Sequence, residues 1–576
     1  MLLSKKKALV STGTLMVALG IVLSTYAQTS DKELEPPAPL KEIKYHTGFI
    51  PPAEILPHLG RKPRPDLVQA ADLPAKWDWR EQGCVTPVKN QGGCGSCYAF
   101  AAIGSFESAI MVRWGLAYDL SENNVKECIW GDPSCGGGSS ASVAGYLAGS
   151  GSVLEADDPY VDADVECADS VVYQHALLDW RIVSGGIGPD PFILKQYIYE
   201  YGPVESSLCA GDPGVPDWRN EFTNYDGSYT LYFPTDDCFL NHAVLIVGWD
   251  DNLEHAGGTG GWIVKNSWGT DWGGPCGYGY RGGYFTIAYG SAKMGSHTYF
   301  VQDWKELDPN EKVFLYDEAY PMGGCGFDDV TAWGMCAFEH TRACSLFRVE
   351  FWTLDVTTDI DIYIYDDFDG TTLSNLLTSK LDAAYTEAGY HSVALDSLLR
   401  IEAGDDFYVA LKVTDESYVH PFRLDQQGPI EIGKTFISPN AEPGTWIDMG
   451  DDPPDRSPGD VAIRVRAIVD QTPPEPPPPP EPVPSYYSLS YAYPNPFNSH
   501  TTIPYSLENP ARVDLSVYNL LGQKVKTLVS GSKPAGEHVI NWDGTDDNGE
   551  SVASGVYLYQ LETNEYVDSK KLILLK

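Results

Sequence analysis

The chain has 576 residues, with 39 Lys and Arg against 80 Asp and Glu, a formal net charge of −41. That balance excludes sequence-independent binding of nucleic acid or anionic lipid, which draws its affinity from a basic face. Fifteen Trp, 35 Tyr and 56 Gly argue for a β-rich, turn-rich chain of several domains rather than a helical bundle.

Lys5, Lys6 and Lys7 precede an apolar run from Ala8 to Leu23, followed by Ser24-Thr25-Tyr26-Ala27. This pattern predicts a secretory signal peptide over residues 1–27; the run is near the short end for a membrane span. The mature chain is expected to be soluble, exported and exposed to disulfide-forming conditions. Residues 28–71 are polar and proline-rich and read as an extended pro-segment. Residues 72–296 hold nine of the 12 cysteines and mixed helix and strand patterns. Residues 297–470 turn to strands, with Asp361–Tyr365 and Phe407–Val413 bounded by Asp and Gly turns. Residues 471–485 carry nine prolines and form a semi-rigid spacer. Residues 486–576 return to short strands and turns.

The chemistry concentrates around Gln91-Gly92-Gly93-Cys94-Gly95-Ser96-Cys97-Tyr98-Ala99-Phe100. Ala99 to Trp114 reads as a helix with Phe100, Ile103, Ile110, Met111 and Trp114 largely on one face, stopped by Gly115. Cys97 then sits at a helix N-terminus, where free N–H groups and the macrodipole favour a thiolate nucleophile. A bare Cys in an exported protein is more often half of a disulfide, but two further motifs follow. Asn241–Trp249 puts His242 at the head of an apolar strand, and Trp262–Gly269 puts Asn266 on a second. Between them Asp250–Gly260 reads as a polar hairpin loop.

The Cys94–Tyr98 signature, Leu73-Pro74, Trp77–Arg80, Val85–Gln91 and the His and Asn motifs, in this order, resemble the papain-like cysteine peptidases from Leu73 to about Tyr289. The resemblance implies a two-lobed α+β domain that hydrolyses peptide bonds in protein or peptide substrates through a thioester, without cofactor or metal. Cys97 would be the nucleophile, His242 the base, and Asn266 the group that orients the imidazole under Trp268. The Gln91 amide and the Cys97 N–H would hold the oxyanion. Gly137 and Gly138 would present backbone to an extended substrate, and Ser139, Ser140, Ser207, Leu240 and Ala243 would form a small, partly polar pocket wall. It also implies the disulfides Cys94–Cys135 and Cys128–Cys167. The pairing of Cys84, Cys209, Cys238, Cys276, Cys325, Cys336 and Cys344 stays open. The pro-segment is expected to occlude the cleft, with removal near Asp72 raising activity, although it lacks the long helical pattern of many relatives.

Residues 297–470 resemble a lectin-like β-sandwich module, carried by Asp329–Gly334, Phe347–Trp352, Gly389–Val393 and Gly404–Phe407. Trp333 or Trp446 could stack on a glycan ligand, although core packing is the plainer account of each. Asp366, Asp367 and Asp369 could ligate calcium, but read more simply as a solvated turn. Tyr493–Asn498, Val517–Gln523, Trp542-Asp543-Gly544, Ala553–Tyr557 and the ending Lys570–Lys576 resemble a type IX secretion C-terminal sorting domain with an Ig-like sandwich. That implies contact with secretion machinery and delivery through the periplasm to the surface or medium of a Gram-negative bacterium. The expected fold class is therefore a two-lobed α+β peptidase followed by two all-β sandwiches, as a monomer. The rival reading is a surface adhesin whose peptidase fold only binds peptides or glycans.

Overall fold

The computed structural model describes residues 45–52, 56–130, 134–168, 170–186, 188–211, 214–235, 237–319, 323–451, 457–470 and 486–576. The expected signal peptide, residues 28–44 of the pro-segment and the proline spacer lie outside them. The first folded region contains helices α1 (Cys97–Trp114), α2 (Glu122–Cys128), α3 (Ser140–Gly149), α4 (Pro191–Tyr201) and α5 (Pro216–Thr223). Its strands are β1 (Lys76–Asp78), β2 (His175–Ser184), β3 (Val204–Leu208), β4 (His242–His255), β5 (Gly258–Lys265), β6 (Tyr284–Ala288) and β7 (Ser296–Glu306).

Helix α1 ends where expected: Gly115 takes a left-handed φ of 67° and donates its N–H to the Met111 carbonyl. The expected single apolar face needs correction. Every residue from Cys97 to Ile110 is buried, whereas Trp114 is 42 % exposed. The helix is wrapped on all sides, and Ala99, Ala101, Ala102 and Gly104 let its neighbours approach closely. Trp114 lies at the exit, edge-on to Trp304. The Asp250–Gly260 stretch is likewise mostly strand, continuing the β4–β5 hairpin past a register shift.

The antiparallel sheet runs β6-β5-β4-β3-β7-β2, with β1 on β4, and does not stop there. Strand β2 pairs with Ala388–Ile401, matching Trp180 to Tyr390, and the order continues through Cys344–Thr353, Ile463–Val469 and Glu311–Phe314. One sheet therefore crosses from the first region into the second. Among the described residues strand β7 pairs with β2 and β3, so the boundary expected after residue 296 falls inside this sheet. A six-stranded sheet that includes Thr331–Glu339, Thr358–Phe368 and Asp406–Asp415 packs across Phe351, Leu411 and Val465 to complete a sandwich.

Buried arginines fasten the junction. Arg464 donates Nε to Asp317 at 2.9 Å and Nη1 to the Gly145 carbonyl at 2.8 Å. Arg466 pairs with Glu350 and Glu311 and donates to the Ala148 carbonyl. Gly145 and Ala148 lie in the second half of α3, and Ala148 is among its last carbonyls, which lack a partner within the helix and favour cations. The sandwich thereby holds the C-terminal end of the helix that begins just after Gly138.

The tail forms two sheets. Ser488–Leu489, Thr501–Leu507 and Gly536–Trp542 make one; Ala511–Asn519, Lys524–Lys533, Gly555–Glu562 and Val567–Leu574 make the other. Trp542, Tyr559, Leu572 and Leu574 fill the space between them. Among the described residues, no helix is long and apolar enough to cross a membrane.

Candidate active site

Cys97 is the first residue of α1, and the preceding Ser96 makes no side-chain cap, so the helix N-terminus is left open for the chemistry. The disulfide Cys94–Cys135 ties this turn to the strip that carries Gly137 and Gly138, and Gly95 donates its N–H to Cys135 at 3.0 Å. Cys128–Cys167 braces the next loop. Cys84, Cys209, Cys276, Cys336 and Cys344 are free thiols, as is Cys97.

His242 opens β4, and its Nε2 lies 2.8 Å from Asn266 Oδ1, just past the end of β5. The Trp268 ring stands 4.9 Å from the imidazole and covers this bond. A buried chain of polar groups fixes that end of β5. Lys265 donates to Thr86 at 3.0 Å, and Thr86 donates to Glu107 of α1 at 2.6 Å. Gln91 is completely buried; its Oε1 accepts from Ser267 at 2.6 Å, which aims the amide nitrogen.

The cleft is filled by the chain's own residues 45–50. The Gln91 amide donates to the His46 carbonyl at 3.1 Å, and the Trp268 indole donates to the same oxygen at 3.2 Å. Tyr45 stacks on Trp268 at 4.9 Å. The Gly48 N–H donates to Cys97 Sγ at 3.2 Å. Gly138 donates to Gly48 O and accepts from Ile50 N–H, each at 2.9 Å, in a parallel bridge with Phe49. Only glycine fits at position 48, since a Cβ there would stand 1.6 Å from the Gly95 carbonyl oxygen.

This cover changes the electrostatics. Burial pushes the Cys97 thiol up to about 11, although the amides of Ala243, Gly48 and Tyr98 pull the other way. Burial also lowers His242 to about 4 against the bond from Asn266, and its Nδ1 is buried with no hydrogen-bond partner. With the cleft covered, the two groups are thus a neutral thiol and a neutral imidazole, not the ion pair that the motifs imply.

The other expected residues gather beside Cys97. Ala243 follows His242 and pairs with Ser207 of β3, whose hydroxyl donates to the Ser296 carbonyl at 2.7 Å. Gly137 has a φ of 116°, and a Cβ there would meet Gly48 O at 2.5 Å. The sequence reading missed His46, Gly48 and Phe49, because a short polar segment shows no periodicity. It also missed Glu205, a charge set between the apolar ends Val204 and Leu208 of a short strand.

In the second region, Trp333 and Trp446 are each half-buried, stacked on Tyr363 at 5.3 Å and set against Phe368 at 6.3 Å. Asp369 accepts from the Thr371 and Thr372 N–H groups and the Thr371 hydroxyl, which makes it a turn former. A different trio, Asp359, Asp361 and Asp382, brings carboxylate oxygens within 4.8 Å of one another, and Lys412 pairs with Asp361.

Residues 73–301 match the papain family cysteine protease, 313–459 the lectin like domain, and 498–565 the FlgD Ig-like domain. The viral cathepsin of Heliothis zea nuclear polyhedrosis virus is 33% identical over 263 residues, 44% of this chain and 64% of that protein. Cathepsin S of Rattus norvegicus is 33% identical over 245 residues, 40% of this chain and 69% of that protein. The chain spans 58% to 64% of the length of the viral cathepsin and of cathepsin J from Mus musculus. The cysteine protease and lectin-like domains of Cwp84, a surface layer associated protein of Clostridium difficile, superpose with a TM-score of 0.57 at 20% identity, over 74% of this chain and 93% of that one. That likeness shows the shared fold of a peptidase region joined to a sandwich. On the sequence relatives and the matched residues together, the chain belongs to the papain family of cysteine proteases.

Proposed function

We propose that the chain is a secreted cysteine endopeptidase acting through Cys97, His242, Asn266 and Gln91. The observation that carries this reading is the His242–Asn266 bond under Trp268, beside a cysteine at a helix N-terminus and an amide that already holds a peptide carbonyl. Once the cleft is open, His242 takes the Cys97 proton and the thiolate attacks the substrate carbonyl carbon. The oxyanion is held by the Gln91 amide and the Cys97 N–H. The imidazolium then gives its proton to the leaving amine, and water hydrolyses the thioester. Asn266 keeps the ring oriented throughout.

Residues 45–50 act as the inhibitor of this site. The residue whose carbonyl meets Gln91 comes before the residues that pair with Gly138, and the bridge is parallel. A substrate that acylates Cys97 has its Gly138-paired residue ahead of the scissile carbonyl, so the segment lies in the opposite direction. An amide N–H, rather than an electrophilic carbon, faces the sulfur. Cleavage of the segment opens the site. The test is a thiol-directed peptidyl epoxide. It should label Cys97 only in the cut chain, whereas a cut chain that neither reacts nor hydrolyses any peptide would leave the adhesin reading in its place.

The remaining roles follow the same line. The lectin-like region offers glycan its face of Trp333, Tyr363 and Tyr365. The Ig-like tail serves type IX sorting to the surface of a Gram-negative bacterium, and its match to the FlgD Ig-like domain supports the fold of that role alone. Deleting Tyr486–Lys576 should trap the protein in the periplasm of such a host and leave purified activity unchanged.

A further inference from the structure

The pit beneath Phe49 contains a group that Phe49 cannot satisfy. Phe49 donates its N–H to the Asn241 carbonyl at 3.1 Å and bridges Gly138 on the other side, so its ring enters between these two walls; the residue is 4 % exposed. One wall continues to Ser140 at the start of α3, the other to Ala243 on β4. Strand β3 closes the base. Glu205 and Ser207 are two residues apart and share a face, and Ser207 is paired with Ala243. Glu205 is paired on the other side with Tyr299 of β7, and Phe49, Ala243 and Tyr299 belong to one buried cluster. His297, also on β7, has its ring 6.0 Å from Phe49.

Glu205 is 1 % exposed. Its Oε1 accepts from the Ser140 hydroxyl, while its Oε2 is buried with no hydrogen-bond partner. Two buried acids of the junction, Glu350 and Asp317, are answered by cations, whereas Asp415 and Asp425 each keep one buried oxygen without a partner, as Glu205 does. Glu350 meets Arg466, Tyr390 and Ser392, and Asp317 meets Arg464. A buried carboxyl oxygen without a donor is costly, and an aromatic ring brings none. Burial also holds the Glu205 carboxyl well above the usual range, which lets it tolerate Phe49 as a neutral group. A guanidinium or ammonium would supply donors to the free oxygen and stabilise the carboxylate, a guanidinium with its planar fork best.

The geometry points to Glu205 as a specificity-determining residue that selects arginine or lysine at the substrate position paired with Gly138. The inference deepens the peptidase reading of the same cleft and rests on it. The pro-segment then fills the pit with the right volume but the wrong chemistry, so that a basic substrate outcompetes it after cleavage.

The test uses the full chain with its pro-segment cut, and fluorogenic peptides differing only at that position. Arginine should exceed citrulline, its neutral counterpart of equal shape, by about tenfold or more in kcat/KM. Glu205→Gln should erase this preference, bringing the arginine-to-citrulline ratio in kcat/KM close to one. Equal rates for arginine and citrulline in the unaltered chain would overturn the inference, as would a preference that survives Glu205→Gln. If Glu205→Gln does not fold, the arginine-to-citrulline ratio of the unaltered chain decides alone. If no peptide is hydrolysed, the peptidase reading fails. The affinities of the arginine and citrulline peptides for the cut Cys97→Ser chain then make the same comparison, with equal affinities overturning the inference.

Discussion

The covered cleft and the domain junction bury titratable groups equally well, with opposite results. In the cleft, burial leaves Cys97 and His242 neutral, because nothing of opposite charge answers either one. At the junction burial works against the charge of Arg466 as well, but Glu350 beside it holds the guanidinium above its ordinary value. The difference lies in what covers each pair. The junction is closed by paired strands of one continuous sheet, whereas the cleft is closed by residues 45–50, held by a few hydrogen bonds and one parallel bridge. Permanent burial must be paid with partners; reversible burial can hold a reactive pair silent.

The largest expected effect is on the cleft chemistry itself. Cys97→Ser should lower hydrolysis by the cut chain by about a millionfold with unchanged circular dichroism. His242→Ala should be comparably severe, and Asn266→Ala milder, since orientation contributes less than proton transfer. Turnover by folded Cys97→Ser at near the original rate would end the proposed mechanism.

The junction should respond through stability. Arg466→Met leaves Glu350 buried without its ion-pair partner and should cost about 3–5 kcal/mol in urea unfolding. Adding Glu350→Leu should recover most of it, because an apolar pair of similar volume packs as well. A loss below about 1 kcal/mol for Arg466→Met would mean that water reaches the junction, and the contrast with the cleft would fall.

The cover should yield to a single methyl group. Gly48→Ala places a Cβ against the Gly95 carbonyl, so residues 45–50 must lift. Alkylation of Cys97 in the uncut chain should rise by about tenfold or more, equal to about 1.4 kcal/mol of lost closure. Unchanged labelling would show that the segment leaves the cleft freely without help.

The smallest effect is acid loosening. His242 and His297 are each held near 4 under the cover, below the ordinary histidine value of 6.5. Between these values the open form binds protons that the closed form refuses. The contribution of these two histidines to closure is therefore intact above about pH 6.5 and is lost as pH falls toward 4, by at most about 1.4 kcal/mol per pH unit for each histidine. Hydrogen exchange of residues 45–50, corrected for intrinsic rates, should be faster at pH 5 than at pH 7. Slower exchange at pH 5 would reverse the sign of the argument.

The sequence announced what depends on a few neighbours in the chain. The start of α1 at Cys97, its stop at Gly115, His242 at the head of a strand and Asn266 after another were legible because cap, turn and strand chemistry are local. What covers the cleft was legible only as a position in the chain. Residues 45–50 have no periodicity and draw their order from Gly138, Gln91, Trp268 and Cys97, which are far away in sequence. The single-face reading of α1 failed for a related reason, since periodicity cannot report a helix enclosed on every side.

By itself the sequence determined which candidate reactive groups the chain carries and in what order, because side-chain chemistry and local backbone preference travel with the residue; the two disulfides were what the family resemblance implied, and the structure pairs them so. Only the tertiary structure decided their state. It placed the Gly48 N–H on the sulfur, left one oxygen of Glu205 unanswered at the base of the pit, and ran one sheet through two regions so that Arg464 and Arg466 reach the end of α3. Charge, exposure and accessibility are properties of the surroundings, and those surroundings come from parts of the chain that meet only when it is folded.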